Sequence, residues 1–330
     1  MNPLASLSVV IPLQNEEGNI NILYPALIEV LEPTGREFEI ILVNDGSTDR
    51  TGDLLDELAS RDPQVKPVHF TRNFGQAAAL SAGFEAARGS LIVTLDGDLQ
   101  NDPADIPQML ELLESGGYRV VSGWRQQRSE RAVSRVLPSL VANWLIALVA
   151  GLPSRDNGCS LKCYRAEVVK GVYLPHGYHR YLPAVLGVRP EEFAQLKVAH
   201  RPRHSGHSHY GISRLCAVLA TLPALPWIKG NPVAALRRVR AIYRFACTMI
   251  GTACVALITR HSGWGFSLGA AGLLLFSLTG MVEIQLDEWV TTQRSRPFQV
   301  RQAAGSAGPE PLLRVCESEI EPAATAGSGC

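Results

Sequence analysis

Leu91-Ile92-Val93-Thr94-Leu95-Asp96-Gly97-Asp98-Leu99-Gln100 decides the fold and points to the chemistry. Its first half is a short apolar run, rich in β-branched residues and closed by turn residues, which is the pattern of a buried strand. Its second half delivers two carboxylates and a carboxamide, spaced two apart, into a turn. In an open α/β sheet the carboxyl ends of strands are where ligands bind. Hard oxygen donors there suit Mg²⁺ or Mn²⁺, which keep several waters and bind through one or two carboxylates plus substrate phosphates. A solvated Asp-Gly turn has the same local sequence, so the surrounding chain must decide between them.

Outward from this strand, Ser8–Ile11, Phe38–Val43, Val65–Phe70 and Val120–Ser122 read as further strands. Helical periodicity fills the gaps, over about Glu17–Leu31, Thr51–Ser60, Gly75–Ala87 and Pro103–Leu113. This alternation predicts an α/β domain with a mostly parallel sheet, helices on both faces and right-handed crossovers. A dinucleotide oxidoreductase needs G-x-G-x-x-G after its first strand. Here the loop reads Pro12-Leu13-Gln14-Asn15-Glu16-Glu17-Gly18-Asn19, which argues against that class. Asn44-Asp45-Gly46-Ser47-Thr48-Asp49 closes the second strand as Asp96–Gln100 closes the fourth. Both acidic turns therefore fall on one sheet edge, beside the first loop.

The 330 residues suffice for a substantial domain and a smaller module. Charged residues are 19% of the chain, below the roughly 25% of soluble domains, and hydrophobic residues are 46%. The apolar excess lies between Ala241 and Val282, which implies a membrane. A formal net charge of zero gives no argument for nucleic acid. Seven cysteines are an odd number, and Cys159 and Cys163 have no second pair with zinc-ligand spacing, so neither a disulfide framework nor a zinc site is expected. The N-terminus lacks a basic segment and enters a strand directly, unlike a signal peptide.

Ala241–Thr259 and Gly263–Val282 are candidate spans, joined by Arg260-His261-Ser262 into a helical hairpin. Arg237, Arg238 and Arg240 precede the hairpin, and Arg294, Arg296 and Arg301 follow it, which places both outer ends and the large domain in the cytoplasm. A hairpin buried in a globular core is the alternative. The expected organisation is a catalytic domain over 1–212, an amphipathic membrane-surface segment over 213–240, the hairpin over 241–290 and a cytoplasmic tail over 291–330, disordered after about 302. Small residues between Gly263 and Gly272 could pair copies into a homo-oligomer.

VVIPLQNEE, VNDGSTD, RNFGQAAALSAGFEAARG and LDGDLQNDP, in this order, resemble the inverting family 2 glycosyltransferases of the GT-A fold. DNGCSLKCYR, HRPRHSGHSHYG, the two apolar spans and the closing Arg296-Pro297-Phe298-Gln299-Val300-Arg301 are similar to the polyprenyl-phosphate branch. That branch includes dolichol-phosphate mannose synthase and the bacterial undecaprenyl-phosphate sugar transferases. The resemblance covers about residues 6 to 301. It implies a membrane-bound enzyme moving a sugar from a nucleoside-diphosphate sugar to undecaprenyl or dolichyl phosphate, for cell-envelope glycan or protein glycosylation. The setting it implies is the inner membrane, multi-pass, with no nucleic-acid partner.

Carried over residue by residue, the resemblance implies that Asp96 and Asp98 are the family's DxD pair, with Asp156 near the reacting sugar. Asp96, Asp98 and Gln100 would hold Mg²⁺ or Mn²⁺, with Asp98 and Gln100 in direct contact. Pro12, Gln14, Glu16, Asp45 and Gly97 match nucleotide-binding positions. Arg201, Arg203 and Ser208 match the acceptor-phosphate clamp, with Arg125 and Arg135 as further candidates.

This chain departs from the family pattern at Asn44, where an aspartate is usual, and at His209, where a lysine is usual. Those departures keep open a non-catalytic nucleotide-sugar-binding membrane protein, beside a membrane transferase that uses a saccharide hydroxyl. His200, His204, His207 and His209 read as a basic acceptor loop near anionic headgroups, with a metal site as the rival reading.

Overall fold

The computed structural model describes residues 6–125, 146–149, 151–201, 221–229, 231–258 and 262–301. Seven strands form one sheet: β1 (Leu7–Leu13), β2 (Phe38–Asn44), β3 (Val65–His69), β4 (Leu91–Thr94), β5 (Val120–Arg125), β6 (Lys162–Arg165) and β7 (Phe193–Val198). Their order is β3-β2-β1-β4-β6-β5-β7, and β6 alone runs against the other six. Four helices connect the first five strands: α1 (Glu17–Leu31), α2 (Thr51–Arg61), α3 (Gln76–Ala86) and α4 (Ile106–Ser115). All five expected strands and all four expected helices are present, within a few residues at their ends.

The sheet is buried on both faces, as its near-continuous apolar strands require. Val10, Ile41, Val43 and Ile92 pack towards α3, while Val9, Ile11, Ile40 and Leu42 pack towards α1 and α4. Residues Ala77 to Phe84 of α3 are all buried. The run of small side chains there lets the helix lie close to the sheet: a Cβ on Gly83 would come within 2.1 Å of Val10 Cγ1.

Two strands differ from the sequence expectation. β6 inserts between β4 and β5, so these are not neighbours. It has only four residues, Lys-Cys-Tyr-Arg, and no aliphatic run to betray it. β7 is an edge strand beside β5. Its Ala194/Leu196/Val198 alternation with Gln195/Lys197 is a half-buried pattern that the sequence does carry.

The C-terminal part is a pair of long helices, α5 (Pro232–Ile258) and α6 (Ser262–Arg294). Both are long and apolar enough to cross a membrane. A hairpin belonging to a globular core would be mostly buried, yet Phe245 is 60% exposed, Leu273 56% and Leu274 64%. The expected boundary at 240–241 falls inside α5. Within the Gly263–Gly272 stretch, Gly269 and Gly272 lie against Ala253 and Ile250 of α5 within the hairpin. Arg240 pairs with Glu283 at 3.0 Å and Asp287 at 2.7 Å, closing the apolar stretch with a charged layer. Beyond that layer α6 continues into the domain core, burying Leu286, Trp289 and Val290. There Trp289 packs on Tyr178, whose hydroxyl donates to Gln285 at 3.0 Å.

Candidate active site

Parallel β1, β2 and β4 end on the same edge, and their loops form the site. β1 runs into Gln14 and Asn15, both exposed, with Asn15 in the left-handed region at φ 54°. Asn15 N–H donates to Ser47 Oγ at 2.9 Å, and its side-chain oxygen accepts from Thr48 N–H at 2.9 Å. Glu16 N–H donates to Thr51 Oγ1 at 2.9 Å, while its carboxylate takes the Asn19 amide. The first loop and the Asp45 turn are thus tied together by cross-loop bonds. Pro12 is half-buried and pairs in register with Val43.

Asp45 is only 4% exposed. Both carboxylate oxygens are occupied: Phe74 N–H donates to one at 2.7 Å and Gly75 N–H to the other at 2.9 Å. Burial pushes this carboxyl up, and the two amide bonds pull it back. Gly46 follows at φ 64°, where a Cβ would strike the Arg72–Asn73 backbone at 2.2–2.4 Å. Asn44 is equally committed. Its Oδ1 accepts from Ser47 N–H at 2.9 Å, and its amide donates to His69 Nδ1 at 3.1 Å. His69 Nε2 therefore carries the proton and donates to Asp56 at 3.1 Å.

The β4 turn is built differently. Gln76, the first residue of α3, donates to Asp96 Oδ1 at 2.8 Å. Asp98, 5% exposed, accepts from Gln100 N–H at 3.1 Å. Gly97 is required by the close approach of Leu13, since a Cβ would lie 2.2 Å from Leu13 Cδ2. Leu99 takes φ 60°, a strained conformation for a branched residue, and packs half-buried against the core. Burial, followed by the charge of Asp98, pushes the Asp96 carboxyl up to about 6. A carboxyl raised by burial and by a neighbouring carboxylate's charge is the arrangement a divalent cation relieves. Among the described residues no three His, Cys, Asp or Glu side chains form a metal cage. The donor set therefore fits a hard ion that completes its shell with water and phosphate oxygens.

Around this turn the later segments close in. Asp156 is buried and takes Arg125 three ways, from Nε at 2.7 Å, Nη2 at 2.9 Å and the backbone N–H at 3.3 Å. Arg125, expected as an acceptor clamp, and Asp156, expected beside the sugar, thus neutralise each other. Arg201 N–H donates to the Gln100 carbonyl at 2.8 Å, and its guanidinium pairs with Asp102. Arg135, Arg203 and Ser208, with His204, His207 and His209, lie outside the described residues. Cys159 and Cys163 are free, buried thiols.

The sequence reading passed over Lys162. It is 4% exposed, lies at the start of β6 opposite Thr94, and donates to the carbonyls of Asn157 and Cys159. Burial pushes its pKa down, while Cys159, Asp156 and Asp96 oppose that shift. Its neighbours Leu161, Cys163 and Tyr164 are too few to mark a strand, so the sequence carried no clear signal for it. His200, seen only as part of a cluster, bridges Asn101 in antiparallel fashion and buries Nδ1 without a hydrogen-bond partner.

A family model described as "Glycosyl transferase family 2" matches residues 8–170. Undecaprenyl-phosphate 4-deoxy-4-formamido-L-arabinose transferase of Edwardsiella ictaluri is 34% identical over 253 residues, 76% of this chain and 75% of that protein. The chain belongs to glycosyl transferase family 2. This family 2 chain is also 42% identical to dodecaprenyl-phosphate galacturonate synthase of Rhizobium johnstonii over 219 residues. That match spans 66% of this chain and 65% of the relative's length. Glucosyl-3-phosphoglycerate synthase of Mycobacterium tuberculosis, crystallised with Mn²⁺, UDP and phosphoglyceric acid, superposes with a TM-score of 0.50. It is 21% identical, covering 68% of this chain and 79% of that one, and shows the shared GT-A fold alone.

Proposed function

We propose that the chain is a membrane-anchored inverting glycosyltransferase that moves a sugar from a nucleoside diphosphate to a polyprenyl phosphate. The observation that carries this reading is the β4 turn. There a mutually repelling Asp96–Asp98 pair, held by Gln76 and flanked by Gln100, stands on the same edge as the β1 and β2 loops. The two named relatives, a galacturonate synthase and an aminoarabinose-type transferase working on polyprenyl phosphates, fit it.

On this reading Asp98 and Gln100 contact Mg²⁺ or Mn²⁺, with Asp96 beside them. When bound, that ion offsets the donor's diphosphate charge and stabilises the departing nucleoside diphosphate. Pro12, Gln14, Glu16 and the Asp45–Gly46 turn border the nucleoside, and Gly97 keeps the turn low enough for it to approach. The acceptor is a phosphate monoester with a second pKa near 6, largely dianionic at neutral pH, so attack needs no general base. Its charge calls for cations, and Arg201, Arg203, Arg135 and Ser208 are assigned to hold it. The Arg125–Asp156 pair acts as a neutral wall beside the sugar. In-line attack inverts the anomeric carbon.

The hairpin crosses the inner membrane with its arginine-flanked ends and the catalytic domain in the cytoplasm. Arg237, Arg238 and Arg240 then lie at the cytoplasmic headgroup level, and Arg294 lies further into the cytoplasm at the end of α6.

Membranes carrying the protein should transfer radiolabel from UDP-glucose, UDP-N-acetylglucosamine, UDP-galacturonate or GDP-mannose to polyprenyl phosphate with Mg²⁺ or Mn²⁺ present, and EDTA should stop the transfer. No labelled lipid from any donor sinks the reading. Equal labelling by Asp98→Ala membranes removes the assigned metal site instead.

A further inference from the structure

After α6 the chain turns back onto the far edge of the sheet. Arg301 N–H donates to the His69 carbonyl at 2.7 Å, and Thr71 N–H donates to the Gln299 carbonyl at 3.1 Å. Val300 and Phe70 form an antiparallel bridge between these bonds. Phe298 stacks on Phe70 with ring centres 5.1 Å apart and planes within 14°, and it meets Tyr173 edge-on at 6.2 Å. Arg296 pairs with Glu85 on α3. Residues 295–301 thus join the end of a long apolar helix to the edge strand of the catalytic sheet.

What this strap holds is the segment 70–76, and that segment touches both acidic turns. Phe74 leans edge-on against Phe70 at 5.5 Å, forming a three-ring stack from Phe298 through Phe70. Phe74 and Gly75 then satisfy Asp45, and Gln76 donates to Asp96. The Arg72–Asn73 backbone is the surface against which Gly46 closes. Its two ends are anchored by Phe70 N–H, which donates to the Asn44 carbonyl at 2.9 Å, and by Gly75, at φ 92°, which caps α3 by accepting from Ala79 N–H at 3.1 Å. On its outer side the aromatic contacts and the two ladder bonds of the strap add a further restraint.

We propose that residues 296–301 are a positioning element of the donor site, setting the 70–76 segment that holds Asp45 and Asp96. This rests on the donor-site reading above and adds a consequence. The donor pocket takes its final shape only when the chain has passed through both long helices and returned, which couples hairpin placement to nucleotide affinity. Phe298 touches no reacting group and acts through Phe70 and Phe74.

The test uses the full chain in lipid nanodiscs, titrated with UDP and with GDP in the presence of Mn²⁺, and assayed for transfer with donor and polyprenyl phosphate varied in turn. Phe298→Ala should weaken nucleotide binding and raise the donor KM by about tenfold, leaving the acceptor KM within about twofold. Phe298→Tyr keeps the stack and should restore donor affinity. Arg301→Pro removes one ladder N–H without touching the core and should weaken nucleotide by about threefold. This second variant decides the matter alone if Phe298→Ala fails to fold. Folded variants that bind nucleotide like the parent, or that lose donor and acceptor affinity equally, overturn the proposal. A parent protein that binds neither nucleotide brings down the donor-site reading, and the strap proposal with it.

Discussion

The carboxyl ends of β2 and β4 both read Asp-Gly, and burial raises both carboxyls, yet the two are partnered differently. Asp45 is buried with each oxygen capped by a backbone amide, so its charge is already spent on holding the 72–75 backbone. Asp96 has one side-chain amide from Gln76, a second carboxylate two residues away, and a carboxyl pushed up to about 6. A satisfied carboxylate stabilises the fold; on the proposed reading a frustrated one stores binding energy for a cation. The protein has placed one of each on a single edge, tied to each other through the 74–76 segment.

Neutralising the frustrated carboxylate gives the largest effect. Asp96→Asn keeps the acceptor for Gln76 but removes the repulsion with Asp98. Transfer activity should fall by about 10²–10³, while stability rises by about 1–3 kcal/mol at pH 7 without divalent ion. The sign follows from the raised folded-state pKa. The parent bears an ionisation cost that is complete above about pH 6 and fades as pH falls towards the unfolded carboxylate value near 4. Chemical denaturation at pH 7.5 and pH 4 therefore should show a gap between variant and parent that closes on acidification. A variant less stable than the parent at pH 7.5 breaks the comparison.

Asp45→Ala should move stability the other way. It leaves the Phe74 and Gly75 amides buried without acceptors, at about 1–3 kcal/mol for each stranded donor. The expected loss is about 2–4 kcal/mol, read as a lowered thermal midpoint, with donor KM rising because the 74–76 segment is released. An unchanged midpoint would show that the two amides find water instead, and that Asp45 is no more structural than Asp96.

The alternation of apolar runs made the sheet and both turns legible, because a buried parallel strand writes its burial into consecutive residues. The convergence of the turns on one edge followed from that alternation alone. The difference between them did not, since it depends on amides contributed by Phe74 and Gly75, about thirty residues downstream. Lys162 stayed hidden because β6 is too short to show a period and because its partners are backbone carbonyls. Arg125, a candidate for the acceptor phosphate, and Asp156, expected near the sugar, are thirty-one residues apart, and only the fold shows that they pair. The closing Phe298–Arg301 stretch was visible as a motif, but only the return of the chain to β3 gives it a position.

The smallest effect sharpens the comparison most finely, at the residue before the satisfied carboxylate. Asn44 stands where the family usually has an aspartate, and on the sequence alone that departure left room for an inactive protein. In the structure Asn44 makes two bonds of opposite polarity, accepting from Ser47 N–H and donating to His69 Nδ1, while His69 donates onward to Asp56. An aspartate keeps the first bond and loses the second unless His69 takes a proton on Nδ1. Asn44→Asp should therefore cost about 0.5–1.5 kcal/mol of stability at pH 7.5 and leave transfer within about threefold of the parent. The pairing of Asn44 with a histidine on the neighbouring strand makes the change a local exchange of partners, with no cost to the chemistry proposed at Asp96 and Asp98. A hundredfold loss or gain of transfer in Asn44→Asp would instead place residue 44 among the groups that meet the donor and would dissolve the division between the two strand ends.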